Sequence, residues 1–252
     1  MAVYINQPMF PVDYLRPARA TFDNPGSGID GGVNGTGEAI SIETSGGGIV
    51  TASYKGMVLE GPDERYEILN WLGARLNGGF RFINVPIVND KIGPFPVING
   101  AVRPIIKGIR HSDGSLHSDG SGYSQATVWA KLTADAPLNA GQVYLRIYEA
   151  SRDLRWSDWF SIYHPTKGWR AWRYWENDKL NEGTETVDGV PLTFKDYRLG
   201  ISPPLREAAP AGTRVEVARP TCVMKLARGM TVPFEYEGWY SSRPSISFTE
   251  AF

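Results

Sequence analysis

The chain has a single cysteine, Cys222, and three histidines, at 111, 117 and 164, among 252 residues. One thiol excludes an internal disulfide framework and any cysteine-rich zinc or iron–sulfur site. Charge of either sign is not in excess: 26 basic residues face 27 acidic ones, and no basic cluster tracks along the chain. A phosphate backbone is therefore not an expected partner, and no nucleic-acid specificity is read. No apolar run approaches the ~18 residues that a membrane span requires. The first residues, MAVYINQPMFPVDYL, lack the basic and apolar regions of a leader. No membrane anchor is expected, and synthesis in the cytoplasm is.

Glycine and proline are plentiful instead, 28 and 18. Many sit beside Asn, Asp or Ser, the composition of a chain with many turns and short strands. One stretch breaks that pattern. In GPDERYEILNWLGARLNGG, Ile68, Leu69, Leu72 and Leu76 recur at helical spacing. Pro62 suits the first turn, Asp63 and Glu64 complement the dipole, and Gly78 supplies a left-handed stop. A helix over 62–77 follows, laid against a sheet because a helix this short cannot bury its stripe alone.

Around it the chain reads as strands. Residues 3–22 give an opening strand that Pro8, Pro11 and Pro17 confine to an edge. The glycine-rich segment Asn24 to Gly37 is a loop. EAISIET, at 38–44, turns at Gly46-Gly47-Gly48 and pairs with IVTASYKGMVLE as a hairpin. FRFINVPIV follows the helix, so the first ninety residues read β-β-β-α-β. From there to about Leu226, short strands at 103–109, 123–132, 142–147, 159–163, 169–175, 197–201 and 214–217 suggest a small closed barrel or sandwich. The apolar ending PSISFTEAF is expected to return to the first sheet. The expected fold is mostly β: a sheet with one α-helix, from residues 1–92 with 220–252, and an inserted barrel over 93–219.

Three groupings invite a chemical reading. His111, Asp113, His117 and Asp119 form a tandem HSDGS-type repeat that offers nitrogen and oxygen ligands to zinc or manganese, or simply builds two Asp-Gly turns. The turns are the expectation, with no cofactor and no metal. The run from Trp156 to Trp175 is dense in rings. Trp169, Trp172 and Trp175, with Arg170 and Arg173 at the margin, suit a sugar-stacking platform, a subunit interface or a barrel core. Asp153, Asp158 and Glu176 lie close by in sequence, but nothing orders one as acid and another as base, and no nucleophile elbow or HExxH pair is present. Catalysis is not expected. Arg16, Arg19, Arg65 and Arg75 are candidates for contacts between subunits.

The phrase ISPPLREAAPAGTRVEVARPTCVMKLA, after an SDGSGYSQ turn and a strand through LRI, resembles phage tail proteins of the distal-tail or tail-hub kind. YEILNWLGARLNGG followed by FRFINVPI is similar to the helix and strand of a tail-tube-like β domain, and SISFTEAF to the ending of such proteins. The resemblance implies a structural virion protein of a siphovirus-type bacteriophage. Its subunits would form a hexameric ring at the tail tip, joining the tail tube protein to hub and tip proteins that serve host attachment. The rival reading is a β module that binds a cell-surface glycan.

Overall fold

The computed structural model describes residues 3–44, 46–59, 64–88, 92–98, 100–102, 128–187, 189–232 and 243–251. Its elements are α1 (Val12–Leu15), β1 (Pro17–Asp23), β2 (Gly28–Val33), β3 (Ala39–Glu43), β4 (Thr51–Met57), α2 (Glu64–Leu76) and β5 (Ile83–Pro86). There follow β6 (Val97–Ile98), β7 (Ala101–Val102), β8 (Trp129–Leu132), β9 (Gln142–Tyr148), β10 (Trp159–His164), β11 (Gly168–Val187) and β12 (Val190–Ser202). The chain closes with β13 (Arg214–Glu216), β14 (Thr221–Leu226) and β15 (Ile246–Glu250). The protein is mostly β.

One antiparallel sheet runs β1-β4-β15-β14-β5, so its strands come from both ends of the chain. Leu69, Leu72 and Leu76 of α2 are buried and share a core with Ala52, Tyr54, Ile83, Val85, Met224, Ile246 and Phe248 of that sheet. Spacing of three and four residues puts the leucines on one stripe, and the stripe needs this sheet because a single helix has nothing else to cover it. α2 continues into a 3₁₀ turn, Asn77–Gly79. The left-handed residue that ends it is Gly79, at φ 66°, not Gly78 as the sequence suggested.

At Gly73 the backbone of Val232 lies against the helix: a Cβ there would stand 2.7 Å from the Val232 carbonyl oxygen. Alanine gains about 1 kcal/mol over glycine in a helix, but overpacking against fixed backbone costs about 1–3 kcal/mol. Gly73→Ala is expected to lower the urea midpoint with an unchanged denaturant slope. A raised midpoint would show that the Val232 backbone yields.

Three expectations for the first ninety residues are corrected. Residues 3–22 are not one strand, because Pro11 starts the four-residue helix α1 before β1 begins at Pro17. The segment 24–37 is not a loop throughout, because β2 lies within it. And β3 pairs with β2, Ile29 opposite Ile42, while β4 pairs with β1 and β15. The reason lies in the turns. Asn34 Oδ1 accepts bonds from the Thr36 and Glu38 amides at 3.0 and 2.9 Å and from the Thr36 hydroxyl, closing a tight turn at Asn34-Gly35. Gly47, at φ 93°, instead lies against the barrel, where a Cβ would come within 2.5 Å of Pro203.

The second body is a closed barrel, β10-β11-β12-β9-β8-β13. Its interior is filled by alternate residues: Val143, Leu145 and Ile147 from β9, Tyr197, Leu199 and Ile201 from β12, Phe160 and Ile162 from β10, and Trp172 and Tyr174 from β11. Closure removes the edges that short strands would otherwise expose. β11 and β12 run well past the expected 169–175 and 197–201, pairing down to Val187 and Val190 as a long, mostly exposed hairpin. Arg146 and Tyr148 of β9 hold that hairpin by bonds of 2.7 Å to Glu185, which keep the Glu185 carboxyl below its usual range.

Candidate assembly and binding surfaces

Barrel and sheet are fused through buried polar contacts. Arg170 (β11) and Glu250 (β15) are both buried, with Nη1 3.3 Å from Oε1; Arg170 also donates to the carbonyl of Ala251, and the Val50 amide donates to Glu250 Oε2 at 3.2 Å. Arg206, which bonds the Gly48 carbonyl, brings a second guanidinium within 3.9 Å of the same carboxylate. Burial pushes the Glu250 carboxyl up against the pull of these two cations. Beside them His164 is buried against the Trp172 ring, with neither ring nitrogen bonded, and burial pushes it down to about 4. Cys222 is also buried, with its thiol pushed up by desolvation.

This junction divides the aromatic candidates. Trp172 lies in the barrel core, stacked on Phe160 at 6.0 Å. Trp169 is half-buried where the barrel meets the sheet, packed against Phe82, Val223 and Ala251. Trp175 is 64% exposed. The three tryptophans therefore share no platform. Arg170 belongs to the buried ion pair, and Arg173 is exposed, over Trp159 at 5.6 Å and 3.7 Å from Asp23. Asp158 is buried and held by both Nη atoms of Arg152 and by the Arg155 amide. Asp153 takes Lys195 at 2.6 Å and is held below its usual range chiefly by that bond. Both are structural anchors.

The arginines also separate. Arg16 and Arg19 are exposed at the β1 edge of the sheet. Arg65 bonds the Val58 carbonyl at 3.2 Å, and Arg75 bonds Gln7 at 3.2 Å, so both brace α2 within the same chain. His111, Asp113, His117 and Asp119 lie outside the described residues, as do the expected strand at 103–109 and residues 233–242. Among the described residues no group of three or more His, Cys, Asp or Glu could hold a metal. A cleft of 160 Å³ opens between the two bodies, lined by Phe22, Ile87, Val88, Trp159, Val217, Pro220 and Ser157. It offers one hydroxyl and no titratable group.

Two surfaces stand out for assembly. The β5 edge is covered by residues 8–10, where the Phe10 amide donates to the Asn84 carbonyl and the Asn84 amide to the Pro8 carbonyl across a parallel bridge at Met9, whereas β1 ends the sheet on the other side. Every residue of β2 and β3 is exposed. Ile29 faces Ile42 across the ladder and Ile40 lies two residues along the same strand, so one face of this arm carries three bare isoleucines, 60, 57 and 42% exposed. The sequence reading missed this arm. Its signal was Asn34-Gly35 between Val33 and the alternating EAISIE. Set against known proteins, the chain matches no protein-family model and no curated protein.

Proposed function

We propose that the chain is a structural subunit of a siphovirus-type phage tail, forming a hexameric ring at the distal end that joins the tail tube to hub and tip proteins. The five-stranded sheet with α2 takes the part of the tail-tube-like domain, and the barrel is the peripheral one. The reading places the protein at the tail tip of the virion, assembled in the host cytoplasm, without catalysis. The observation that carries it is the β2–β3 arm. A two-stranded hairpin is marginal in water unless something covers a face, and this one leaves three isoleucines exposed beside a sheet edge that pairs with no other strand among the described residues. Laying the arm of each copy on the body of the next is a heterologous contact, and six repeats of such a contact close a ring. Burial returns about 25 cal/mol for each Å² of apolar surface removed from water.

The test is electron microscopy and light scattering on the purified protein and on the assembled particle. The wild type is expected as a closed ring coaxial with a tube. Ile29→Asp with Ile42→Asp is expected to give single subunits that remain folded, with an unchanged far-ultraviolet spectrum, because neither side chain contributes to either core. Association that survives both substitutions rejects the arm as the contact, and a solitary wild-type subunit in the particle rejects the ring.

A further inference from the structure

The barrel wall has a feature that neither the core nor the ring requires. Between Tyr174, opposite Ile201, and Glu176, opposite Gly200, β11 carries one extra residue. That residue is Trp175. A bulge of this kind sets two side chains against one on the partner strand and re-aims them. Here the one opposing residue has no side chain. A Cβ on Gly200 would stand 3.1 Å from Cε2 and Cζ2 of Trp175 and 2.9 Å from the Cβ of Glu176. The indole therefore rests directly on the barrel backbone, and 64% of the residue remains open to solvent. Glycine within a strand weakens it and commonly marks a close approach of something else. An indole held rigidly in the open also forgoes the burial that a tryptophan would gain in a core. Bulge, glycine and bare ring together have no account in folding.

The surroundings define what such a ring would take. Arg198, on the strand next to β11, sits between Glu176 and Asp178, 3.4 Å from one and bonded to the other. Across the next strand pair, Tyr144 lies opposite Arg198 and Gln142 opposite Gly200, and both are exposed. A flat apolar face is thus bordered by two carboxylates, a guanidinium, a phenol and an amide. Each carboxylate has lone pairs beyond those that Arg198 uses. We infer that Trp175 is the stacking platform of a saccharide site: the C–H face of a pyranose ring lies on the indole, and its hydroxyls bond to Glu176, Arg198 and Gln142. Neutral hexopyranosides are the class, because the fixed charges here already neutralise one another in part and offer alternating donors and acceptors rather than a cationic pocket. The inference stands apart from the ring reading. It also differs from a platform of Trp169, Trp172 and Trp175, of which Trp172 is buried in the barrel core and Trp169 half-buried at the junction.

The experiment is saturation-transfer NMR and titration calorimetry on the full chain, with methyl glycosides of glucose, galactose, mannose and N-acetylglucosamine and their short oligomers as probes. At least one is expected to bind with a Kd of about millimolar, as a single stacked ring allows. Trp175→Ala is expected to weaken it at least about tenfold, a loss of about 1.4 kcal/mol. Gly200→Ala, which displaces the indole, is expected to do the same in a protein whose far-ultraviolet spectrum is unchanged. Trp71→Ala, removing an exposed ring on α2, leaves binding as it was. No binding by any probe at several times that concentration overturns the proposal, and so does binding that Trp175→Ala leaves intact. A Trp175→Ala protein that changes its state of association without affecting sugar binding assigns the ring to a subunit contact and overturns it equally.

Discussion

Arg170→Met is expected to destabilise the protein by about 3–5 kcal/mol at pH 7, the usual cost of removing one partner of a buried ion pair. Arg170 and Glu250 are 1% and 3% exposed, and they join β11 of the barrel to the last strand of the sheet across 80 residues of sequence. With Arg170 gone, Glu250 keeps the Val50 amide and the more distant Arg206 guanidinium, while the Ala251 carbonyl loses a charged donor. Glu250→Met is expected to cost a similar amount, because Arg170 and Arg206 then face each other without the carboxylate between them. The double variant should recover most of either loss, since two apolar side chains of similar volume can fill the space the pair vacates. Equilibrium urea unfolding of the four proteins closes the cycle. Single variants within about 1 kcal/mol of wild type would mean that water reaches the pair and that barrel and sheet are joined by apolar packing alone.

The same junction shows where the sequence was legible and where it was not. Barrel strands could be read because Val143, Leu145 and Ile147 alternate with Gln142, Tyr144 and Arg146, and one face is closed off from water. The far halves of β11 and β12 could not. Their residues, such as Glu182, Gly183 and Thr184, pair in solvent and carry no apolar period. The helix was legible from its three leucines, while α1, one turn long, is too short to show a period at all. For the arm, Ile29 and Ile42 are a cross-strand pair, but the intervening glycines dilute the pattern in β2 to a single isoleucine and a valine.

The candidate surfaces were less legible still, for a geometric reason. From Trp169 to Tyr174, neighbouring residues alternate between two faces, but the extra residue at Trp175 breaks the alternation, so that Trp175 and Glu176 emerge on one side. Composition alone cannot reveal such a bulge. It depends on Gly200, 25 residues away, having no side chain. Likewise Arg16 and Arg19 differ from Arg65 and Arg75 only in what their own chain offers them: solvent in one case, the Val58 carbonyl and Gln7 in the other.

Stability is expected to fall by about 3 kcal/mol between pH 6.5 and pH 4 on account of one side chain, His164. Its ring is 1% exposed, packed edge-on to Trp172 at 5.7 Å, and neither nitrogen has a hydrogen-bond partner. Burial holds it down to about 4, with Arg170 and Lys167 adding to that shift and Glu207 opposing it. An unfolded chain protonates this histidine near 6.5. Above that pH neither state is charged, and the group costs nothing. Below it the unfolded state binds a proton that the folded state refuses, so stability drops by about 1.4 kcal/mol per unit until the folded ring also protonates. Glu250 works the other way. Its raised value means the folded carboxyl takes up a proton first, so its contribution grows as pH falls toward 4.5. Asp153 and Glu185 are held below their usual range, so their contribution is full in the upper part of this window and falls away as pH drops through the ordinary carboxylate range into stronger acid. A single pH profile therefore mixes opposing signs, and the informative quantity is the difference between wild type and His164→Phe. The phenyl ring fills the space without a titratable nitrogen. Urea unfolding at half-unit steps is expected to show the two proteins diverging below pH 6.5, the variant gaining steadily over wild type, with little difference at pH 7.5. Parallel profiles would place a proton or a bonding partner on His164 in the folded state, and with it a wetter junction between barrel and sheet.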